Sequence, residues 1–215
     1  VSAEDVQNVL NLGGMTWVAG HASPDLGVVL VSIMPGAEQG IEMERQIPHE
    51  LAHVLTYQVV GQGYFRLPAW LREGIASVVE IYPNADYGNT LSVARQSNAL
   101  IPIPSLCTSF PLDASGAFLA YAESDAFVRF LHQKYGTSGL QSLLAAYADG
   151  LDCESGASRA FGQSLSNLNE QWVTLDHEEV KPSFPYWKLL PYLVILILIL
   201  LVPAWQVVHS RRKLQ

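Results

Sequence analysis

Residues 189–208 form a run of twenty positions without a formal charge, most of them Leu, Ile and Val. Coiled as a helix at 1.5 Å per residue, such a run is roughly 30 Å long, the thickness of a bilayer's hydrocarbon core. Tyr186, Trp187 and Tyr192 sit at one end and Trp205 at the other, where aromatic rings favour the membrane–water boundary. Pro191 falls in the first turn, where a missing N–H costs little, and Pro203 near the far end. The chain is therefore expected to fold in two solvents: a domain over residues 1–178, a tether over 179–186, a single membrane helix over 187–208 and a basic tail over 209–215. Arg211, Arg212 and Lys213 in that tail place it in the cytoplasm by the positive-inside tendency, so the domain is expected on the extracytoplasmic side of the cell membrane. An exported domain needs a signal peptide, and a sequence opening on Val1 is read as processed or as a fragment.

With 49% hydrophobic and 15% charged residues, the chain has neither a disordered nor a collagen-like composition. Setting aside Lys188, Arg211, Arg212 and Lys213 leaves residues 1–185 with 8 of the 12 basic residues and all 20 acidic ones, a formal charge of −12. So acidic a body speaks against nucleic acid as a partner. Cys107 and Cys153 admit two readings, a disulfide or two separate buried thiols; a bridge between them would stabilise the fold by about 3–4 kcal/mol in an oxidising compartment.

The β-branched run at residues 28–33, bounded by Gly27 and by Pro35-Gly36, reads as a buried strand, with residues 15–19 as its expected partner. Helical texture follows. The first helix is expected from about Glu38 or Pro48 to Val60, ending at Gly61-Gln62-Gly63, and the second from Pro68 to before Pro83. Residues 87–115 read as a loop containing Pro102, Pro104 and Pro111. A third helix is expected over 117–135, stopping at Gly136, with shorter ones over 139–148, 154–161 and 166–177. The fold class is α+β, mostly helical, with a small N-terminal sheet.

Within the first helix stands His49-Glu50-Leu51-Ala52-His53, an H-E-x-x-H pattern. Residues four apart share a helical face, so both imidazoles can reach one ion at the roughly 2.0–2.1 Å of a zinc–nitrogen bond. Glu50 then lies beside the open position, placed to take a proton from water attacking a carbonyl. A third ligand should come from another element, and Glu73, in Trp70-Leu71-Arg72-Glu73-Gly74-Ile75-Ala76, is the candidate. The Gly61–Gly63 turn lets the second helix fold back, and the small Gly74 and Ala76 permit close helix packing.

These two segments together resemble the peptidase MA-like group of gluzincin metallopeptidases, and the likeness extends through Tyr121-Ala122-Glu123-Ser124, Val128-Arg129-Phe130-Leu131, Tyr135-Gly136 and Trp172. The resemblance implies a zincin-like domain, one Zn2+ held by His49, His53 and Glu73, Glu50 as general base, and a peptide or protein substrate. Two features depart from the pattern. Pro48 obliges the motif helix either to begin there or to lose a backbone bond and kink. Ser77 stands where thermolysin-type relatives have an acid that holds a ligand histidine; Glu80 is the alternative for that task, or else an exposed carboxylate. Tyr121 is the candidate donor to the developing oxyanion, with His132 and His21 behind it. The competing function is a non-catalytic surface binding or assembly module with a structural zinc. Such a site closes on a fourth protein ligand, for which Asp25, His21 or His132 are available. The oligomeric state is left open.

Overall fold

The computed structural model of the chain describes residues 20–175. Strands β1 (Gly20–Ser23) and β2 (Val28–Val31) pair antiparallel, with Gly20 opposite Val31 and Ser23 opposite Val28. Pro24 to Gly27 make the turn, where Gly27 takes the positive φ of 65° that a glycine accepts without penalty. The strand expected at 28–33 thus ends at Val31, and its partner among the described residues is Gly20–Ser23; residues 15–19 lie outside them. The short segment leading into the turn carries no β-branched residue, which hid it from a composition reading.

The hairpin packs on helix α1 (Gln39–Val60), which runs through Pro48 rather than starting at it. A 3-10 turn (Gly61–Arg66) reverses the chain and leads through Leu67-Pro68 into α2 (Ala69–Val78). The first residue of α2, Ala69, donates its N–H to the Cys107 carbonyl at 3.0 Å, so a distant loop caps the helix. Helix α3 (Asp86–Gln96) occupies part of the segment expected to be a loop. Gly88, Asn89 and Thr90 are weak helix formers and only Ala94 is buried, so neither propensity nor periodicity marked it. A second 3-10 turn (Ile103–Leu106) follows in the proline-rich remainder.

Helix α4 (Ala114–Ala148) opens with Asp113 accepting from the Gly116 N–H at 2.8 Å. Its two arms meet at Gly136, whose φ of 67° breaks the helical path where the stop was expected. Helix α5 (Cys153–Phe161) is capped by Asp152 and ends at the left-handed Gly162, and α6 (Leu165–Leu175) completes the domain. Ser164 caps α6, its Oγ accepting from the Asn167 N–H at 3.1 Å.

The core gathers on α4. Trp70 and Leu71 of α2, Phe127 and Leu131 of α4, Tyr147, Ile103, Leu106, Leu168 and Trp172 are all buried. Trp70 meets Phe127 edge-on at 5.2 Å and Phe127 meets Trp172 at 5.7 Å. Side chains of this size contribute roughly 1.5–3 kcal/mol each on burial. Gly74 permits a close approach to α4 rather than to α1: a Cβ there would lie 2.5 Å from the Ser124 carbonyl oxygen and 2.6 Å from Val128 Cγ2. Cys107 and Cys153 are joined as a disulfide, Cα atoms 6.3 Å apart, which selects the first of the two cysteine readings.

The architecture is the mostly helical α+β fold with a small sheet that the sequence implies. The tether, the apolar run and the basic tail lie outside the described residues. Among those described, no helix is long and apolar enough to cross a membrane.

Candidate metal and active site

Helix α1 supplies His49, Glu50 and His53 from its buried side. Helix α2, folded back by the Gly61–Arg66 turn, brings Glu73 to face them. His49 Nε2 and His53 Nε2 stand 3.5 and 3.6 Å from the same atom, Glu73 Oε2. A tetrahedral zinc ion with bonds near 2.0–2.1 Å sets its ligand atoms roughly 3.3 Å apart, close to the two imidazole–carboxylate distances. The ligand atoms of the three residues all lie within 4.8 Å of one another. Among the described residues the group stops at three. Neither His21 nor Asp25 joins it, and His132 is exposed at the surface, 3.3 Å from Thr137 Oγ1.

Each imidazole is held from behind. His49 Nδ1 lies 2.9 Å from Glu80 Oε1, and His53 Nδ1 lies 2.9 Å from the Tyr64 hydroxyl. With both rings neutral and the proton on each Nδ1 donated to these oxygens, as metal coordination requires, the Nε2 lone pairs face the Glu73 side. Glu80 is therefore a buried partner of His49 and not an exposed acid. Tyr64 had no sequence signal: it sits in the turn after α1, eleven positions from His53, and only the reversal of the chain makes them neighbours.

Charge follows from this packing. Burial disfavours the His49 imidazolium, but hydrogen bonds to Glu73 and Glu80 and the charges of Glu73 and Glu50 outweigh it, and the pKa is pushed up to about 10 by the protein's own groups. For Glu73 burial works the other way, and the two imidazoles overcome it to hold the carboxyl well below its usual range. Two imidazoles and one carboxylate are a donor set suited to a divalent cation, whose binding requires the imidazolium proton to leave. Glu50 is raised, chiefly by burial, against the lowering influence of His49 and His53. It is only 6% exposed and has room because β1 carries Gly20 there: a Cβ at that position would meet Glu50 Oε1 at 2.4 Å.

Two cavities, of about 560 and 390 Å3, share Gly20, His49, Glu50 and Tyr121 in their walls; the smaller is lined by all three residues of the triad, the larger by His49 alone of the three. Tyr87 and Phe118 line the larger; His21, Arg72 and Glu73 line the smaller. Tyr121, from α4, sits with its ring 6.2 Å from that of His49, and burial raises its pKa well above the usual value, so the hydroxyl keeps its proton.

A family model for the Peptidase MA superfamily matches residues 2–177. The chain belongs to that superfamily. No curated protein and no solved structure matches it.

Proposed function

We propose that the protein is a zinc-dependent metallopeptidase that hydrolyses peptide bonds, anchored by residues 187–208 as a single membrane span with its catalytic domain on the extracytoplasmic side. The observation that carries this reading is the group of His49 Nε2, His53 Nε2 and Glu73 Oε2, with the imidazole nitrogens 3.5 and 3.6 Å from the carboxylate oxygen, lining an open cavity with the buried Glu50 in the same wall. Zinc held by these three residues would acidify a water in its fourth position and polarise the scissile carbonyl. Glu50 accepts the proton of the attacking water and returns it to the amine nitrogen as the C–N bond breaks. The Tyr121 hydroxyl donates a hydrogen bond to the oxygen that gains negative charge. Glu80 and Tyr64 keep the two imidazoles turned toward the ion. A peptide crossing from one cavity to the other passes the four residues that both share.

A closed structural zinc site would call for a fourth protein ligand, and the described residues cluster only three. The disulfide agrees with an oxidising, extracytoplasmic location, and the flanked apolar run supports the anchor. Replacing Glu50 by Gln tests the chemistry. Zinc content should stay at one equivalent while peptide cleavage falls on the order of 10²–10⁴-fold; cleavage at the parent rate would remove Glu50 from the mechanism.

A further inference from the structure

Pro48 lies inside α1, directly before His49. Proline has no N–H to give to the carbonyl four residues back, and its ring crowds that carbonyl outward. The carbonyl concerned is that of Glu44. It accepts instead from the backbone N–H of Ile81 at 3.1 Å. Ile81 belongs to the segment after α2, and its neighbours are fastened to α1 as well. Before it, the Glu80 carboxylate takes His49 Nδ1 at 2.9 Å. After it, the Tyr82 carbonyl accepts from Arg45 Nε at 3.2 Å, while Arg45 Nη1 is held by Glu42 at 2.8 Å. Three consecutive residues thus clasp one helix, and the middle clasp, on the backbone, falls on the carbonyl to which Pro48 has no N–H to give.

We propose that Pro48 is a positioning residue: by releasing the Glu44 carbonyl it sets the register of the Glu80–Tyr82 segment on α1, and this register aims Glu80 at the outer nitrogen of His49. The inference rests on the reading of His49 as a metal ligand. It explains why a helix that could have continued with an ordinary residue carries a helix-breaking one beside its most constrained side chain. It also explains how Glu80, two residues past the end of α2, is held accurately on a loop: its backbone is fixed from the helix that bears its partner.

The test uses Pro48→Ala in the chain of residues 1–215. An alanine N–H reclaims the Glu44 carbonyl, so helix stability is kept or improved while the Ile81 tie is lost. Ile81 amide exchange should quicken, zinc affinity measured by chelator competition should fall about tenfold or more, and the thermal midpoint of the metal-free protein should not fall. Glu80→Ala should lower zinc affinity by a similar factor, and adding Pro48→Ala to it should cost little more, because both act through the same contact. Unchanged Ile81 exchange, or faster exchange with unchanged zinc affinity, overturns the proposal. Additive losses in the double variant overturn it too. If the parent chain itself binds no zinc, the metallopeptidase reading fails, and with it the role given to Pro48.

Discussion

His49 has carboxylates on both of its ring nitrogens, Glu73 toward the cavity and Glu80 behind. Its raised pKa makes the metal-free fold depend on pH in a definite sense. A group whose pKa rises on folding contributes stability that is whole below its unfolded value, 6.5 for histidine, and is lost as pH climbs through the folded value of about 10. Glu73, depressed on folding, contributes above the ordinary carboxylate range and is constant across that window. The chelator-treated protein should therefore lose thermal stability between pH 6.5 and 10, and His49→Asn should show a smaller loss over the same interval; matching profiles would deny the imidazolium its place between the carboxylates. Zinc should flatten the dependence, since a bound cation replaces the proton.

At the scale of elements, the site depends on how α2 is seated. Trp70 and Leu71 bury one side of it against α4, Gly74 lets the backbones close, and the Cys107 carbonyl caps its first residue. Gly74→Ala puts a Cβ against the Ser124 carbonyl with no room to yield except by moving the helix. The expected cost is about 1–3 kcal/mol in denaturant unfolding, together with weaker zinc binding, because Glu73 moves with the helix. Unaltered stability would mean that the interface can relax. Much of this level was legible in the sequence: the spacing in His49-Glu50-Leu51-Ala52-His53, the turn at Gly61-Gln62-Gly63 and the Trp70–Ala76 segment contain the two helices and the triad between them. What was not legible has a common physical character. Tyr64 behind His53, Gly20 against Glu50 and Ile81 on Glu44 are contacts between segments, invisible to periodicity. Helix α3 is polar and poor in strong helix formers, and Gly74 served a different neighbour from the one its small size suggested.

For the whole molecule, the Cys107–Cys153 bridge links the turn that caps α2 to the start of α5, across 46 positions of sequence. Replacing both cysteines by serine should lower unfolding stability by about 3–4 kcal/mol. The loss should be greater than that of removing the Asp113 or the Asp152 helix cap, and calorimetry of the double variant against the parent measures it; an unshifted melting temperature would show that the loop is closed equally well by its buried contacts. The acidic composition of residues 1–185, the disulfide and the apolar run with aromatic flanks and a basic end are what the proposed extracytoplasmic, membrane-anchored placement rests on. The superfamily match and the His49, His53 and Glu73 group support the metallopeptidase chemistry proposed for the domain. The most direct test is zinc X-ray absorption on the parent chain, with metal content compared in His53→Ala and Glu73→Ala. The account predicts one zinc per chain with two imidazole nitrogens, oxygen ligands including a water, no sulfur, and loss of the metal in both variants. Zinc retained undiminished in both would contradict it.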